Sequence, residues 1–143
     1  MSSTHVRALA AIFACVAVYG LTLGLLRPLI SLILESRDYS RSIIGLVASA
    51  PAIGVLLSSF IIPPLIHRYG IRAFMIGTLI LDLCVVLFYP LFDNLWAWIA
   101  ISMLSGTTIN CLLVASETWV NEITPDASRG RVMGLYGTTM AAA

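Results

Sequence analysis

The chain has 143 residues, of which 59% are hydrophobic and 10% charged, and its mean hydropathy is +0.98. A soluble domain carries about 25% charged residues, so this composition excludes an ordinary water-soluble domain and favours a protein surrounded by lipid. The net charge of +1 and the lack of a basic run argue against a nucleic-acid partner.

The first hydrophobic run covers residues 8–34 and is interrupted by Arg27. It exceeds the apolar core of a signal peptide, which has about 7–15 residues, so we expect it to remain as a first membrane span. One polar stripe at helical spacing comprises Gly20, Gly24, Arg27, Ser31 and Glu35. Such a stripe is typical of a helix that lines an aqueous cavity. The alternative is that Arg27 reaches the membrane surface and only anchors the helix.

Three further hydrophobic runs cover residues 43–66, 73–91 and 95–115. Each of the four runs is near or above the ~20 residues that a helix needs to cross the hydrocarbon core. A helix is the expected form, because it satisfies its own backbone hydrogen bonds in lipid. Small residues at four-residue spacing predict close helix packing. They are Ala50 and Gly54 in the second span, and Ser102, Gly106 and Asn110 in the fourth.

Polar residues inside the later spans are candidates for function, because charge is costly in lipid. Asp82 lies near the middle of the third span, one turn after Thr78. It is either a proton or cation site, or a neutral acid hydrogen-bonded to Thr78 or to a neighbouring helix. In the fourth span, Asn110 either binds a substrate hydroxyl or cross-links two helices.

A polar stretch at 117–131 follows the fourth span, and a last apolar segment covers residues 132–143. Thr124 followed by Pro125 predicts the start of a helix, with Thr124 as the N-cap and proline at the first helical position. The last segment is too short to cross a bilayer. We therefore expect a fifth span that is cut short, and a chain that is a fragment.

Arginine placement predicts the orientation, since cytoplasmic loops are enriched in basic residues. With the N-terminus in the cytoplasm, five arginines lie inside and two outside. We therefore expect a multi-pass protein of the plasma (inner) membrane with a cytoplasmic N-terminus. The inner arginines are Arg7, Arg68, Arg72, Arg129 and Arg131, and the outer ones are Arg37 and Arg41.

Carboxylates join these arginines near the predicted cytoplasmic face. Such groups can form bidentate pairs that lock helices in one conformation and release them in another. The alternative is a solvated loop whose arginines only set the topology. The predicted gate network comprises Arg68, Gly70, Arg72, Glu117, Glu122, Arg129 and Arg131.

The sequence contains no P-loop, GxGxxG, HExxH or GxSxG motif. Its three cysteines, Cys15, Cys84 and Cys111, fall inside apolar runs and lack metal-binding spacing. We therefore expect no catalytic residues, no metal and no cofactor, and a protein that is not an enzyme.

Two loops resemble the major facilitator superfamily of secondary transporters. The turn PPLIHRYGIR at residues 63–72 is similar to the superfamily's GxLaDRxGRR loop: Arg68, Gly70 and Arg72 match, whereas Pro63 replaces the first glycine and His67 the acidic residue. The stretch at 117–131 looks like the connection after helix four in the YcaD-like branch, where a Glu ends helix four and RGR opens helix five. Sugar porters carry a similar E…RG stretch, which would match Glu122 and Arg129.

The resemblance implies an all-α bundle of twelve spans in two six-helix halves that transports a small solute by alternating access. The solute would bind between the halves, with helices one and four lining the cavity. Residues 1–143 would be part of the N-terminal half, with four complete spans and the start of a fifth. Ser102 departs from the pattern of many proton-coupled members, which have Arg there. The implied cavity residues are Arg27, Ser31, Ser102 and Asn110.

The implied partners are the lipid bilayer, a small-molecule solute and the missing C-terminal half, without which we expect the fragment not to transport. The alternative is a complete four-span accessory or scaffold protein with no transport activity of its own.

Overall fold

The computed structural model describes Ala17, Gly20, residues 22–124 and residues 126–142. Residues 8–16, 18, 19 and 21 of the predicted first span, 8–34, lie outside these described residues. Its described part is a π-helical turn, Thr22–Leu26, followed by helix α1, Arg27–Ser36. Pro28 lies in the first turn of α1 and lacks the N–H that would bond the Gly24 carbonyl in a continuous α-helix. The change from π to α geometry therefore falls where proline interrupts the backbone ladder, and such π turns are frequent at functional sites.

Three long helices follow: α2 at Arg41–Tyr69, α3 at Ile71–Phe88 and α4 at Leu95–Ile123. A 3₁₀ turn at Tyr89–Leu91 extends α3. Over the described part of the chain, α2, α4 and α3 with its turn are long and apolar enough to cross a membrane. The all-helical membrane architecture is thus confirmed, with three of the four predicted complete spans visible as such.

Short connections join these helices where the sequence predicted them. Gly70 ends α2 and has a φ of 76°, a value that glycine adopts without the steric cost of a side chain. Asn94 precedes α4, and its Oδ1 accepts a hydrogen bond from the Trp96 backbone N–H at 3.0 Å. Three prolines inside α2 do not end it, since neighbouring groups can satisfy the freed backbone of a helix in lipid.

The fourth helix extends beyond the predicted span 95–115 into the polar stretch at 117–131. Helix α4 continues to Ile123, and helix α5 begins at Asp126 and covers Asp126–Ala142. The extension is helical because apolar residues on its inner face pack against α5: Val120 is fully buried beside Tyr136. The polar residues of 117–131 therefore lie on a solvent-facing side of these helices and do not form a long loop.

Helix α4 is the centre of the bundle, with α2 packed along one side and α3 along another. The α2–α4 contact depends on two glycines. A Cβ at Gly106 would overlap the backbone of Pro51, and a Cβ at Gly54 would overlap the backbone of Met103. Ala50, one turn before Gly54, is also buried. The close packing predicted from small-residue spacing is therefore confirmed for α2 and α4.

Candidate functional site

A cavity of about 50 Å³ lies between α1, α2 and α4, close to the end of the bundle formed by residues 35–42 and 89–94. Its polar lining comes from Arg27 and Ser31 of α1, from Tyr89 after α3, and from Ser102 and Ser105 of α4. The rest of its lining is apolar. The cavity therefore brings polar groups from distant parts of the sequence together within a membrane-spanning bundle.

Three of the four residues predicted for a substrate cavity line this space: Arg27, Ser31 and Ser102. Arg27 and Ser31 belong to the polar stripe of the first span and Ser102 to that of the fourth, and no other member of either stripe is among the lining residues. The Ser31 hydroxyl also donates to the carbonyl of Arg27, one turn earlier, at 3.1 Å.

The fourth residue, Asn110, lies away from the cavity on the α2–α4 interface. Its Nδ2 donates to the Ser58 hydroxyl at 2.8 Å, and the Val55 carbonyl lies 3.4 Å away. Asn110 is thus placed to cross-link two helices, one of the two roles that its sequence context left open.

Replacing Asn110 with alanine is expected to lower the free energy of unfolding by about 1 kcal/mol, the usual size of a hydrogen bond between membrane helices. Unfolding in mixed maltoside and dodecyl sulfate micelles, followed by circular dichroism, measures the change. Asn121→Ala is the matched control, because Asn121 is exposed on the same helix. Equal stabilities of the two variants would contradict the cross-link.

Tyr89 belongs to the cavity, although its sequence position suggests an aromatic residue at the membrane interface. It is buried, and its hydroxyl lies 3.0 Å from the Ser102 hydroxyl. Its ring packs edge-on against Trp98, with centroids 6.2 Å apart. Helical periodicity could have predicted this burial, because Tyr89 follows Asp82 by two turns and so lies on the face of α3 that meets α4.

Asp82 lies on the α3–α4 contact and is not among the residues that line the cavity. It is buried, and its Oδ1 accepts a hydrogen bond from the Thr108 hydroxyl at 2.6 Å. Thr78 instead donates to the Phe74 carbonyl of its own helix at 2.8 Å. The structure thus bonds Asp82 to a neighbouring helix, one of the alternatives open at the sequence level.

Arg37 connects two turns at the cavity end of the bundle. Its guanidinium pairs with Asp93 at 2.6 Å and lies over the Trp98 ring, 5.2 Å from the centroid. Trp98 in turn donates from Nε1 to the Phe92 carbonyl. Exposed ion pairs contribute little stability on their own. Here the contacts of Arg37 fix the relative position of two segments, because they join the turn after α1 to the turn before α4.

The opposite end of the bundle carries the predicted gate residues. Arg72 lies over the Trp119 ring at 5.6 Å, and Arg68 over the Tyr69 ring at 5.5 Å. Glu117 and Glu122 form no ion pair with these two arginines, all four being among the described side chains. Arg129 and Arg131 are exposed on α5, which is joined to α4 by a 2.7 Å hydrogen bond between the hydroxyls of Ser116 and Tyr136. Over residues whose side chains are described, no cluster of His, Cys, Asp and Glu is arranged to hold a metal.

Comparison with known proteins agrees with this architecture. The family model of the Major Facilitator Superfamily matches residues 12–143. The chain is 31% identical over 123 residues to an uncharacterized MFS-type transporter, YfkF, of Bacillus subtilis (strain 168); the alignment covers 85% of this chain but only 31% of that relative's length. No solved structure matches the chain.

The family match confirms the resemblance seen in the two loops, and it places the chain among multi-pass membrane proteins that are transporters and not enzymes. The chain belongs to the major facilitator superfamily.

Proposed function

We propose that this chain takes part in transmembrane transport of a small solute by alternating access, and that the cavity between α1, α2 and α4 is part of the solute path. The supporting observation is that Arg27 and Ser31 of α1 meet Ser102 of α4 around one space, while the outer faces of the helices are apolar. Polar side chains are expensive in lipid unless they face water or a partner.

The working transporter, in this proposal, contains further helices that correspond to the part of the Bacillus relative beyond the matched 31% of its length. Transporters of this architecture bind solute between two halves, and movement of one half against the other exposes the site to each side in turn. The chain on its own would then bind solute without carrying it across.

The cavity is expected to be open to water, and this can be measured with single-cysteine variants. Ser31→Cys should react with a membrane-impermeant maleimide, because the cavity end lies beside the solvated turns. The native Cys84 is the matched control: it is exposed on α3, which is long and apolar enough to cross a membrane. A polar, membrane-impermeant reagent does not enter the hydrocarbon that would surround such a position, because burying a polar group in lipid is costly.

Each variant retains one cysteine, and the others are replaced by serine. We expect labelling of Ser31→Cys to exceed that of Cys84 by at least about tenfold, because the reagent reaches a water-filled cavity and is excluded from lipid. Equal, slow labelling of both positions would mean that the cavity is closed to water and that the proposed solute path is wrong.

The orientation in this proposal has the N-terminus in the cytoplasm of a cell whose plasma membrane holds the protein. Its support is the arginine count, five inside against two outside. In intact cells, an impermeant thiol reagent should label Ser42→Cys and not His67→Cys, because the two exposed residues lie at opposite ends of α2. Permeabilised cells should label both. The reverse pattern in intact cells would contradict this orientation.

The cytoplasmic gate remains part of the same proposal. Glu117 and Glu122 lie on α4 near the end that carries Arg68 and Arg72, and Arg72 is held against Trp119 of α4. In the described structure, the carboxylates are not paired with these arginines. They are therefore available to pair in a second conformation of the bundle, as a gate requires.

A further inference from the structure

The charge of the cavity sets the class of its ligand. Among the described residues, Arg27 is the only charged one that lines the cavity, and its guanidinium has no ion pair or side-chain hydrogen bond there. Arg27 is an exposed residue that borders this apolar lining, and a guanidinium in such a place favours an anionic partner. The partner can come from this chain, from the further helices of the proposed transporter, or from a ligand.

In the described structure, none of the acidic residues forms an ion pair with Arg27. None of the chain's 7 acidic residues precedes Glu35, so the segment before α1 supplies no carboxylate. Glu35 lies eight residues further along the helix, about 12 Å along its axis. Asp82 is held by Thr108 on the α3–α4 contact, and Asp93 is paired with Arg37.

The remaining polar groups of the cavity are suited to an anion. Tyr89 and Ser102 share one hydrogen bond, which uses one of their two hydroxyl protons. The second proton is free to donate to a ligand. A guanidinium presents a planar fork of N–H donors that matches two oxygens of a carboxylate or phosphate.

The size of the cavity limits what fits beside Arg27. Its volume of about 50 Å³ is a few times the roughly 10–15 Å³ of the same measure that one water molecule requires. The space accepts a head group of a few atoms and not a whole sugar or drug-sized molecule. The rest of a larger solute would extend toward the open side.

We propose that the solute is anionic, and that Arg27 binds its carboxylate or phosphate head group with a hydroxyl of the Tyr89–Ser102 pair as second donor. This inference rests on the proposed function and names the substrate class of the same cavity. The same oxyanion chemistry could come from a lipid headgroup, because Arg27 is exposed to the surroundings of the bundle. The test must therefore separate a free solute from lipid.

The probes are acetate and acetamide, which differ in charge and hardly in shape. The whole chain is purified in maltoside micelles, which contain no phosphate, and binding is followed by saturation-transfer difference NMR. We expect saturable binding of acetate and at least tenfold weaker binding of acetamide, about the effect of one charge-assisted hydrogen-bonded contact.

Arg27→Gln should weaken acetate binding at least about tenfold, whereas Arg27→Lys should retain part of it because the charge remains. Arg41→Gln is the matched control, since Arg41 is exposed at the start of α2 and does not line the cavity. Circular dichroism verifies that each variant keeps its helix content. Acetate binding that survives Arg27→Gln, or equal binding of acetamide, would overturn the inference.

A second arm repeats the titration in nanodiscs of phosphatidylcholine. Acetate binding that persists there supports a free solute. Acetate binding that the phospholipid abolishes would show that Arg27 takes a headgroup phosphate, and would overturn the inference. If Ser31→Cys labels rapidly but acetate does not bind, the anionic class fails while the proposed solute path stands. If Ser31→Cys is also unreactive, the solute path itself fails.

Discussion

Gly106→Ala is expected to lower the free energy of unfolding of the chain by about 3 kcal/mol, the upper range for overpacking a buried contact. The added methyl group would overlap the backbone of Pro51, and a backbone cannot turn aside as a side chain can. The α2–α4 contact is the most extensive in the bundle, so separating these helices also disturbs the cavity between them. Unfolding in mixed maltoside and dodecyl sulfate micelles measures the change.

Gly77→Ala provides the matched control for this prediction. No neighbouring heavy atom lies within 4 Å of the position that a Cβ at Gly77 would occupy. Alanine favours a helix over glycine by up to about 1 kcal/mol, so Gly77→Ala should leave the stability unchanged or raise it. Gly106→Ala should therefore lower the free energy of unfolding, whereas Gly77→Ala should not. If Gly106→Ala were as well tolerated as Gly77→Ala, the close approach of α2 and α4 would be wrong.

Thr108→Val has the second largest expected effect, a loss of about 1–3 kcal/mol in the free energy of unfolding. The substitution keeps the shape of the side chain but removes the hydroxyl that bonds Asp82 at 2.6 Å. The buried carboxyl is then left without its described partner, and an unsatisfied buried polar group costs more than a hydrogen bond gains. The same unfolding measurement applies.

Thr118→Val controls for the change of residue type, because Thr118 bonds only a carbonyl of its own helix, at 2.8 Å. Asp82→Asn should cost less than Thr108→Val, since the amide oxygen still accepts from Thr108. A double-mutant cycle with Asp82→Leu should give a coupling energy of about 0.5–3 kcal/mol, as for residues in one hydrogen-bond network. If the effects of Thr108→Val and Asp82→Leu on the free energy of unfolding were additive, Asp82 would not be coupled to Thr108.

Membrane location, helix order and turn positions follow from the sequence because each depends on local properties. The length of an apolar run decides whether a helix can cross lipid. Gly70 and Asn94 end or begin helices through their own conformational preferences and hydrogen bonds. The family follows from two short loops. The continuation of α4 beyond residue 115 does not follow from local properties, since Val120 is buried against Tyr136 of a second helix.

Partners across helices were decided only by the tertiary structure. Periodicity shows which residues share a face of one helix, but it does not show how neighbouring helices are rotated or offset along their axes. That arrangement depends on packing, here on the contact of Gly54 and Gly106 with the facing backbones. Sequence patterns therefore identified Asp82, Asn110 and Arg27 as unusual. Only the packed bundle bonds Asp82 to Thr108, joins Asn110 to Ser58, and sets Arg27 of α1 at the same cavity as Ser102 of α4.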